Sequence, residues 1–367
     1  MEPLTPLSGL ALSHRFFVEA VRPLLSRHYP ALPYTAALIG PGSEVLGFDD
    51  AMSQDHHWGP RLQLFLQPDD HARYAVEVHE TLRHNLPPSV AGVSTHFSAP
   101  DPDDGGVRHP IPAADGPVDH MVAIETISGF AARYLGSDLS APLSPADWLS
   151  MPEQHLRTFT GGAVFHDAVG LQAARAPVAY YPRDVWLYQL AAVWTRLGQE
   201  EHLMGRAGFA GDELGAALIG ARLVRDLLRL WFLMARTYAP YPKWLGTAFN
   251  RLPGSDSLGP PLTDALAARD WQTRERHLVT AYEIVARRHN SLGLTPPLTE
   301  AAVPFHGRPF RVIAQEGFAA ALAAEIVDPD VVRLLDRPVI GGIDLVSDNT
   351  DILENSRFWR RLRTLYV

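Results

Sequence analysis

A glycine-serine pair and an acidic residue stand at a spacing that suits phosphate chemistry. Gly42-Ser43 follows a short apolar run, residues 35–39, and eleven further residues separate the pair from Asp55. Backbone amides and a serine hydroxyl at such a turn can hold phosphate oxygens, and a nearby carboxylate can hold the accompanying magnesium ion. The order therefore predicts a site for phosphoryl or nucleotidyl transfer.

Length and composition indicate a globular protein of two domains. The chain has 367 residues, of which 46% are hydrophobic and 20% charged, so it can bury a large core. It contains no apolar run near the roughly 18 residues of a membrane span, and its start lacks the basic region of a signal peptide. Without cysteine it forms neither disulfides nor thiolate metal sites. We expect a cytoplasmic protein with no membrane partner.

The charge balance restricts the class of partner. The formal net charge of -9 argues against a broad nucleic-acid-binding surface. A small-molecule partner fits this charge better than RNA does. The sequence gives no indication of the oligomeric state.

Helix and strand patterns alternate as far as residue 180. Apolar residues at helical spacing predict helices within 13–27 and 70–86, and residues 98–118 read as a polar loop. Strands are predicted at 35–39, 62–66, 93–97, 120–127, 163–166 and 177–181, the last two as a hairpin. We therefore expect an α/β domain over residues 1–180, with a mixed sheet and flanking helices.

Long apolar helical patterns begin beyond residue 182 and predict a bundle domain over residues 181–367. The helical stretches are 184–206, 211–238, 270–290, 314–326 and 352–365. Pro- and Gly-rich connections are predicted near 253–261 and 294–309. The predicted fold class is α+β, a mixed sheet followed by a helical bundle, with the site in the cleft between the two domains.

Motifs along nearly the whole chain resemble an uncharacterised bacterial family, a domain of unknown function in the nucleotidyltransferase-like superfamily. The matching stretches are 42–49, 55–61, 181–186, 199–201, 205–206, 211–213, 238–246, 289–293 and 308–310. The resemblance implies a nucleotidyltransferase-like sheet domain and a helical domain similar to that of antibiotic nucleotidyltransferases. It also implies transfer of a nucleoside monophosphate from a nucleotide triphosphate, ATP by preference, to a hydroxyl group.

His57 departs from the superfamily pattern, which places a second carboxylate two residues after the first. Two-metal transfer requires clustered negative charge around two cations about 4 Å apart, and a neutral imidazole supplies none. Imidazole also prefers transition metals to magnesium. His57 therefore binds a softer ion such as manganese or zinc, acts as a base or orienting group beside one magnesium, or marks a degenerate site. The alternative is a polar residue in a loop at a strand edge.

The resemblance implies a third carboxylate from a later strand of the same sheet, joining Asp55 at the metal. Glu125 alternates correctly within the strand 120–127 and is the first candidate. Asp119, at the start of that strand, and Asp167, at the end of the hairpin strand, are rivals. A charged residue inside an apolar strand requires compensation, which favours Glu125.

Basic residues are candidates for contacts with the nucleotide. Lys243 is the single lysine of the chain, and its presence reflects either function or chance. The resemblance implies that basic side chains of the helical domain reach the phosphates, and Lys243 and Arg206 are predicted in that role, with Arg61 beside the first motif. Glu201, or its neighbour Glu200, is the candidate base for the acceptor hydroxyl; a pair on a helix surface is the alternative.

An arginine stripe is predicted on the second helix of the bundle. Arg222, Arg229 and Arg236 recur every seven residues and share one helix face. The stripe is either solvated or faces the cleft, where Asp226, at i+4 from Arg222, would orient that arginine.

These features predict a nucleotidyltransferase that depends on Mg²⁺ or Mn²⁺ and takes a small-molecule acceptor, such as an aminoglycoside-like sugar. Asp55, His57 and Glu125 are its predicted metal ligands. One alternative is a nucleotide-binding pseudo-enzyme whose metal site has degenerated. Another is a metal-dependent hydrolase that uses Asp55 and His57 together with His56.

Overall fold

A computed structural model describes residues 7–55, 58–113 and 116–367. The chain divides into two compact units. Unit 1 consists of Met1–Pro142 and His155–Ala179, and unit 2 consists of Leu143–Gln154 and Tyr180–Val367. The division into domains 1–180 and 181–367 stays a prediction.

Short strands form one four-stranded sheet and two small hairpins. The strands are β1 (Thr35–Leu38), β2 (Arg61–Phe65), β3 (Ser89–Val90), β4 (Val93–Ser94), β5 (Met121–Glu125), β6 (Ala163–Asp167), β7 (Val303–Pro304) and β8 (Arg311–Val312). The four-stranded sheet of unit 1 has the order β5-β2-β1-β6. β1 is antiparallel to β2 and β6, whereas β2 and β5 are parallel. The sheet is therefore mixed.

α-Helices form about half of the described chain. They are α1 (Gly9–Phe16), α2 (Arg22–His28), α3 (Pro68–Asn85), α4 (Ile127–Tyr134), α5 (Pro145–Ser150), α6 (Glu153–Thr160), α7 (Leu171–Arg175), α8 (Arg183–Phe209), α9 (Glu213–Met234), α10 (Leu245–Phe249), α11 (Ser255–Ala267), α12 (Trp271–Ser291), α13 (Phe318–Ala324), α14 (Pro329–Val332), α15 (Ile343–Val346), α16 (Thr350–Glu354) and α17 (Ser356–Leu362). A π-helical turn, Phe17–Val21, joins α1 to α2. No helix of the described residues has the length and apolar character needed to cross a membrane.

The register of the four-stranded sheet distinguishes its two ends. Arg61 lies opposite Met121, and Phe65 lies opposite both Glu125 and Thr35. β1 therefore ends where β2 and β5 begin. We refer to this edge as the turn end of the sheet, because the Gly42-Ser43 turn follows β1 there.

Helices cover both faces of this sheet. Because side chains alternate along a strand, Leu62 and Leu64 face one side, where they join α1, α2 and α3 in a hydrophobic core. Phe65 faces the other side and meets Phe130 of α4 at 5.6 Å between ring centroids. Phe130 in turn stacks on Phe159 of α6 at 5.9 Å. The sheet is a buried layer, which fixes the backbone at its ends.

Unit 2 is helical around the hairpin of α8 and α9, and α12 packs against both. Leu197, Leu227 and Tyr282 are among the fully buried side chains of this core. The predicted helices 184–206, 211–238 and 270–290 correspond to α8, α9 and α12. The predicted α+β class, a mixed sheet with flanking helices followed by a helical bundle, is confirmed.

Two local predictions are wrong. Residues 177–181 do not pair with β6, because a 3-10 turn forms at Ala176–Val178 with proline in its first turn, and β6 pairs with β1 instead. Residues 253–261 are not simply a connection, since α11 begins at Ser255 and contains Pro260 and Pro261. There, burial of apolar side chains outweighs the hydrogen bonds that the prolines remove.

Candidate functional site

The Gly42-Ser43 turn has a backbone conformation that calls for glycine. Gly42 has a φ of 140°, in the region that side chains rarely adopt. A Cβ at this position would also lie 2.5 Å from Arg61 Nη2 and 2.5 Å from Glu44 Oε2. Both the backbone conformation and the close packing therefore require glycine at position 42.

A buried ion pair anchors the turn to β2. Arg61 Nε donates to Glu44 Oε1 at 3.0 Å, and Arg61 Nη2 contacts the same carboxylate. Nη2 also donates to the carbonyl of Pro41 at 2.8 Å. The Arg61 and Glu44 side chains are only 13% and 8% exposed. Arg61 therefore lies beside the turn, where a nucleotide contact was predicted, but its guanidinium is engaged by protein partners.

The backbone that enters the turn is held from two directions. Gln63 pairs with Ile39, donating from Nε2 to the carbonyl at 2.9 Å and accepting from the amide at 3.1 Å. The amide of Gly40 donates to the carbonyl of Thr158 at 3.0 Å. These bonds extend the pairing of β1 beyond Leu38 and position the residues that follow it.

Backbone amides at the start of the turn lack protein acceptors. The turn closes where Gly47 N donates to the Glu44 carbonyl and Phe48 N to the Ser43 carbonyl, both at 3.0 Å. Among the residues that the structure describes, the amides of Gly42 and Glu44 have no acceptor. Amides left open at the start of a helix-like turn attract anions. The turn therefore has the chemistry of a phosphate site.

The described carboxylates around the turn are committed to protein donors. Asp49 accepts from the amide of Gly9 at 2.8 Å. Asp50 accepts from the amide and hydroxyl of Ser53, at 2.8 and 2.9 Å, and so stabilises the 3-10 turn Met52–Asp55. In the described ranges no cluster of three side chains suits a metal ion. These carboxylates alone do not form the predicted metal site.

The side chains of two predicted metal ligands, Asp55 and His57, lie outside the described residues. The backbone of Asp55 ends the 3-10 turn, whereas its side chain, like the whole of His56 and His57, lies outside the described residues. Their metal-binding role stays a prediction.

Glu125 does not lie at the turn end of the sheet. It ends β5 and lies opposite Phe65, four residues, or about 13 Å, along the sheet from the level of Arg61. Arg133 Nη2 donates to both of its carboxylate oxygens, at 2.8 and 2.6 Å. Alternation indicates which face a side chain occupies but does not determine the register. The prediction that Glu125 lies beside the Gly42-Ser43 turn as a metal ligand is therefore wrong, because Glu125 lies at the opposite end of the sheet.

The rivals of Glu125 occupy opposite ends of the sheet. Asp119 lies two residues before β5, at the turn end, and pairs with Arg108 at 2.7 Å while remaining 51% exposed. Asp167 ends β6 at the far end and caps α7. Burial alone would raise the Asp167 pKa, but hydrogen bonds from Thr35 and three backbone amides lower it overall. Asp119 is thus the one that shares the end of the sheet with the turn.

Glu201 of unit 2 is buried and does not suit the predicted role of base. It is 2% exposed, and its Oε2 accepts from the amides of Ile313 at 2.8 Å and Ala314 at 3.2 Å. A base must reach the proton it removes, whereas this carboxylate binds the backbone of a distant segment. Its neighbour Glu200 forms an ion pair with Arg222.

Arg206 and Lys243 are both exposed residues of unit 2. Arg206 lies in the last turn of α8. Lys243 lies in the 3-10 turn Pro242–Trp244, with Nζ 4.9 Å from the centroid of the Trp244 ring. That both contact nucleotide phosphates, in a cleft between two domains, stays a prediction.

A model of one known protein family matches the central part of the chain. Residues 148–245 match the family model described as Domain of unknown function (DUF4037). The predicted resemblance to a domain of unknown function is thereby confirmed.

Proteins similar to this chain are found among solved structures. No curated protein matches the chain. Among solved structures, the chain is similar to a nucleotidyltransferase-like protein from Exiguobacterium sibiricum 255-15. The identity is 10%, the match covers 75% of this chain and 76% of that chain, and the TM-score is 0.32.

The segment that matches the family model contains a buried charge network. Asp226 of α9 is fully buried, and its Oδ2 lies 2.9 Å from Arg196 Nε. Burial raises the Asp226 pKa to about 6, although Arg196 and Arg225 favour the charged form. Arg222 pairs with Glu200 instead, so the predicted pairing of Arg222 with Asp226 is wrong. The network joins α8 to α9.

Proposed function

We propose that this chain binds a nucleotide triphosphate at the Gly42-Ser43 turn and transfers its nucleoside monophosphate to a hydroxyl group of a small-molecule acceptor. The observation that carries the proposal is the turn, which has glycine at a φ of 140° and amides of Gly42 and Glu44 without protein acceptors. The buried pair of Glu44 with Arg61 holds it in place. Such preorganised amides stabilise phosphate charge without rearranging.

A divalent ion would neutralise phosphate charge at this site. Asp55 is the first candidate ligand and His57 the second, from their positions in the sequence. Asp119 replaces Glu125 as the third candidate, because it lies at the turn end of the sheet. Within the chain itself, the turn amides bind and orient the phosphates, and Arg61 keeps the turn in its place.

Nucleotide-dependent thermal stabilisation tests the binding step. Each triphosphate, with magnesium or manganese, is expected to raise the melting temperature of the wild type. Ser43→Ala should weaken the apparent affinity about tenfold, since one hydrogen bond to a charged group is lost. Asp55→Ala should remove the part of the shift that depends on the metal.

Two variants serve as matched controls. Ser128→Ala alters a serine in the first turn of α4, which follows β5 at the far end of the sheet, and Asp103→Ala alters an exposed carboxylate in the loop before β5. Both should keep the wild-type response. The binding proposal fails if Ser43→Ala and Asp55→Ala respond to nucleotide as these controls do.

A second candidate is a nucleotide-binding protein without transferase turnover. Two observations support it: Glu125 lies at the far end of the sheet, and its replacement Asp119 is paired with Arg108. Release of pyrophosphate with a panel of hydroxyl acceptors separates the two candidates. Nucleotide-dependent stabilisation without pyrophosphate release would favour the second.

A further inference from the structure

Carboxylates hold the small hairpin of β7 and β8 against two helices of unit 2. Glu201 of α8 accepts from the amides of Ile313 and Ala314, which follow β8. Glu275 of α12 accepts from the amide of Arg311 at 3.1 Å. Both carboxylates thus accept hydrogen bonds from the backbone of the hairpin or of the residues that follow it. The loop between the strands is consequently held beside α8.

That loop gathers basic side chains around Phe305, which is 7% exposed. The His202 ring stacks on Phe305 at 4.3 Å between centroids, and the His306 ring lies 4.6 Å away. Arg308 Cζ lies 5.3 Å from the same centroid. Arg206 follows His202 by one turn of α8 and shares its face. His202, Arg206, His306 and Arg308 are hereafter the Phe305 cluster.

The Phe305 cluster has no acidic partner. In the described part of the chain, none of its four members forms an ion pair. Burial lowers the His202 pKa, Arg206, Arg308 and His306 lower it further, and the Gly198 carbonyl acts in the opposite direction. Positive charge from two guanidinium groups therefore collects around His202, whose charged form it disfavours, and no carboxylate offsets this repulsion. An anion would relieve this repulsion.

The backbone at the cluster is strained. His306 has φ 47° and ψ 43°, in the left-handed region that few non-glycine residues occupy, although histidine does so more often than most. Strain of this kind concentrates at binding sites, where the surrounding structure maintains it. Here it accompanies the contact of the His306 ring with Phe305.

We propose that the Phe305 cluster binds the phosphate group of a phosphorylated small molecule. Two guanidinium groups offer planar, paired N–H donors that match phosphate oxygens, and two imidazoles add further donors. No internal carboxylate has to be displaced from them. The proposal does not rest on nucleotide binding at Gly42-Ser43, because the cluster belongs to unit 2 and the turn to unit 1.

Calorimetric titration with inorganic phosphate, at constant ionic strength in chloride buffer, tests the proposal. The wild type is expected to bind. Arg206→Gln and Arg308→Gln should each weaken binding about tenfold or more, since each removes charge-assisted hydrogen bonds. Glycerol phosphate, a monoester dianion, should compete with phosphate, and dimethyl phosphate, a diester monoanion, should compete less well.

Matched variants locate the binding. Arg287→Gln changes an exposed arginine on α12 and should leave phosphate affinity unchanged. Phosphate binding that is lost in Ser43→Ala but kept in Arg206→Gln would belong to the proposed nucleotide site instead. Because Arg308 packs over Phe305, its variant can lose stability, and Arg206→Gln then decides. Absence of phosphate binding in the wild type, or equal affinity in Arg206→Gln, overturns the proposal.

Discussion

The Arg61 guanidinium binds both the Glu44 carboxylate and the Pro41 carbonyl, and so clamps the two sides of the Gly42-Ser43 turn to the first residue of β2. The contact explains why Gly42 tolerates no side chain, since a Cβ would meet both members of the pair. Neutral substitution of one member would leave the other charge buried. The geometry of the proposed phosphate site therefore depends on this ion pair.

Removing one member of that pair should cost much of the stability of unit 1. Arg61→Ala is expected to lower the free energy of unfolding by about 3–5 kcal/mol, because it leaves Glu44 charged and buried. Urea unfolding measures the loss. Arg15→Ala, which breaks an exposed pair with Glu19, is the control and should have far less effect. A loss for Arg61→Ala no larger than for Arg15→Ala would contradict the clamp.

Gly42→Ala should both destabilise the protein and impair nucleotide binding. Gly92 is the matched control, since its φ is also positive, at 80°, and a Cβ there would meet nothing within 4 Å. Gly92→Ala should cost about 1–2 kcal/mol for its conformation alone, whereas Gly42→Ala adds the clash with Arg61 and Glu44. Unfolding by urea and nucleotide-dependent melting shifts are measured on both. Similar losses in the two variants would show that the turn adapts.

The residues of the sheet show what the sequence can and cannot predict. The apolar runs 35–39 and 62–66 predict β1 and β2, because burial on both faces requires such runs. Alternation also assigns Glu125 to a strand. Its distance from the turn depends on the register of β5 against β2, which is set by contacts distant in sequence. A pattern within one strand contains no such information.

Contacts distant in sequence also determine the surroundings of the candidate base Glu201 and the pairing of Glu44 with Arg61. The helix containing Glu201 is predictable from its apolar spacing, but the burial of Glu201 depends on Ile313, 112 residues away. Glu44 adjoins Gly42-Ser43 and lies within the stretch that resembles the family. That proximity is the signal in the sequence that points to Glu44, and its partner Arg61 immediately precedes the predicted strand 62–66.

Asp226 should make stability fall as the pH rises. Its pKa is raised from 3.8 to about 6 in the folded protein, so the folded state binds the proton more tightly than the unfolded state. The protonated form contributes fully below pH 4, and about 3 kcal/mol is lost as the pH rises from 4 through 6. The test compares urea unfolding of the wild type with that of Asp226→Asn.

The difference between these two proteins isolates the contribution of one carboxyl group. Relative to Asp226→Asn, the wild type should become less stable between pH 4 and pH 6.5 and change little above it. Asp256→Asn is the control, at an exposed position in the first turn of α11. Its free energy of unfolding should differ from that of the wild type by the same amount at every pH. Parallel curves for Asp226→Asn as well would mean that the Asp226 pKa is not raised.

Glu201 should act as an anchor for the hairpin rather than as a base. Glu201→Ala leaves the amides of Ile313 and Ala314 buried without their acceptor, at a cost of about 1–3 kcal/mol each. Hydrogen exchange at these two amides should therefore accelerate. Glu200→Ala, which breaks the ion pair with the 54% exposed Arg222, should leave that exchange unchanged. Because the anchor is an acceptor and not a charge, Glu201→Gln should keep the amides protected, whereas a catalytic base would lose its function in both variants.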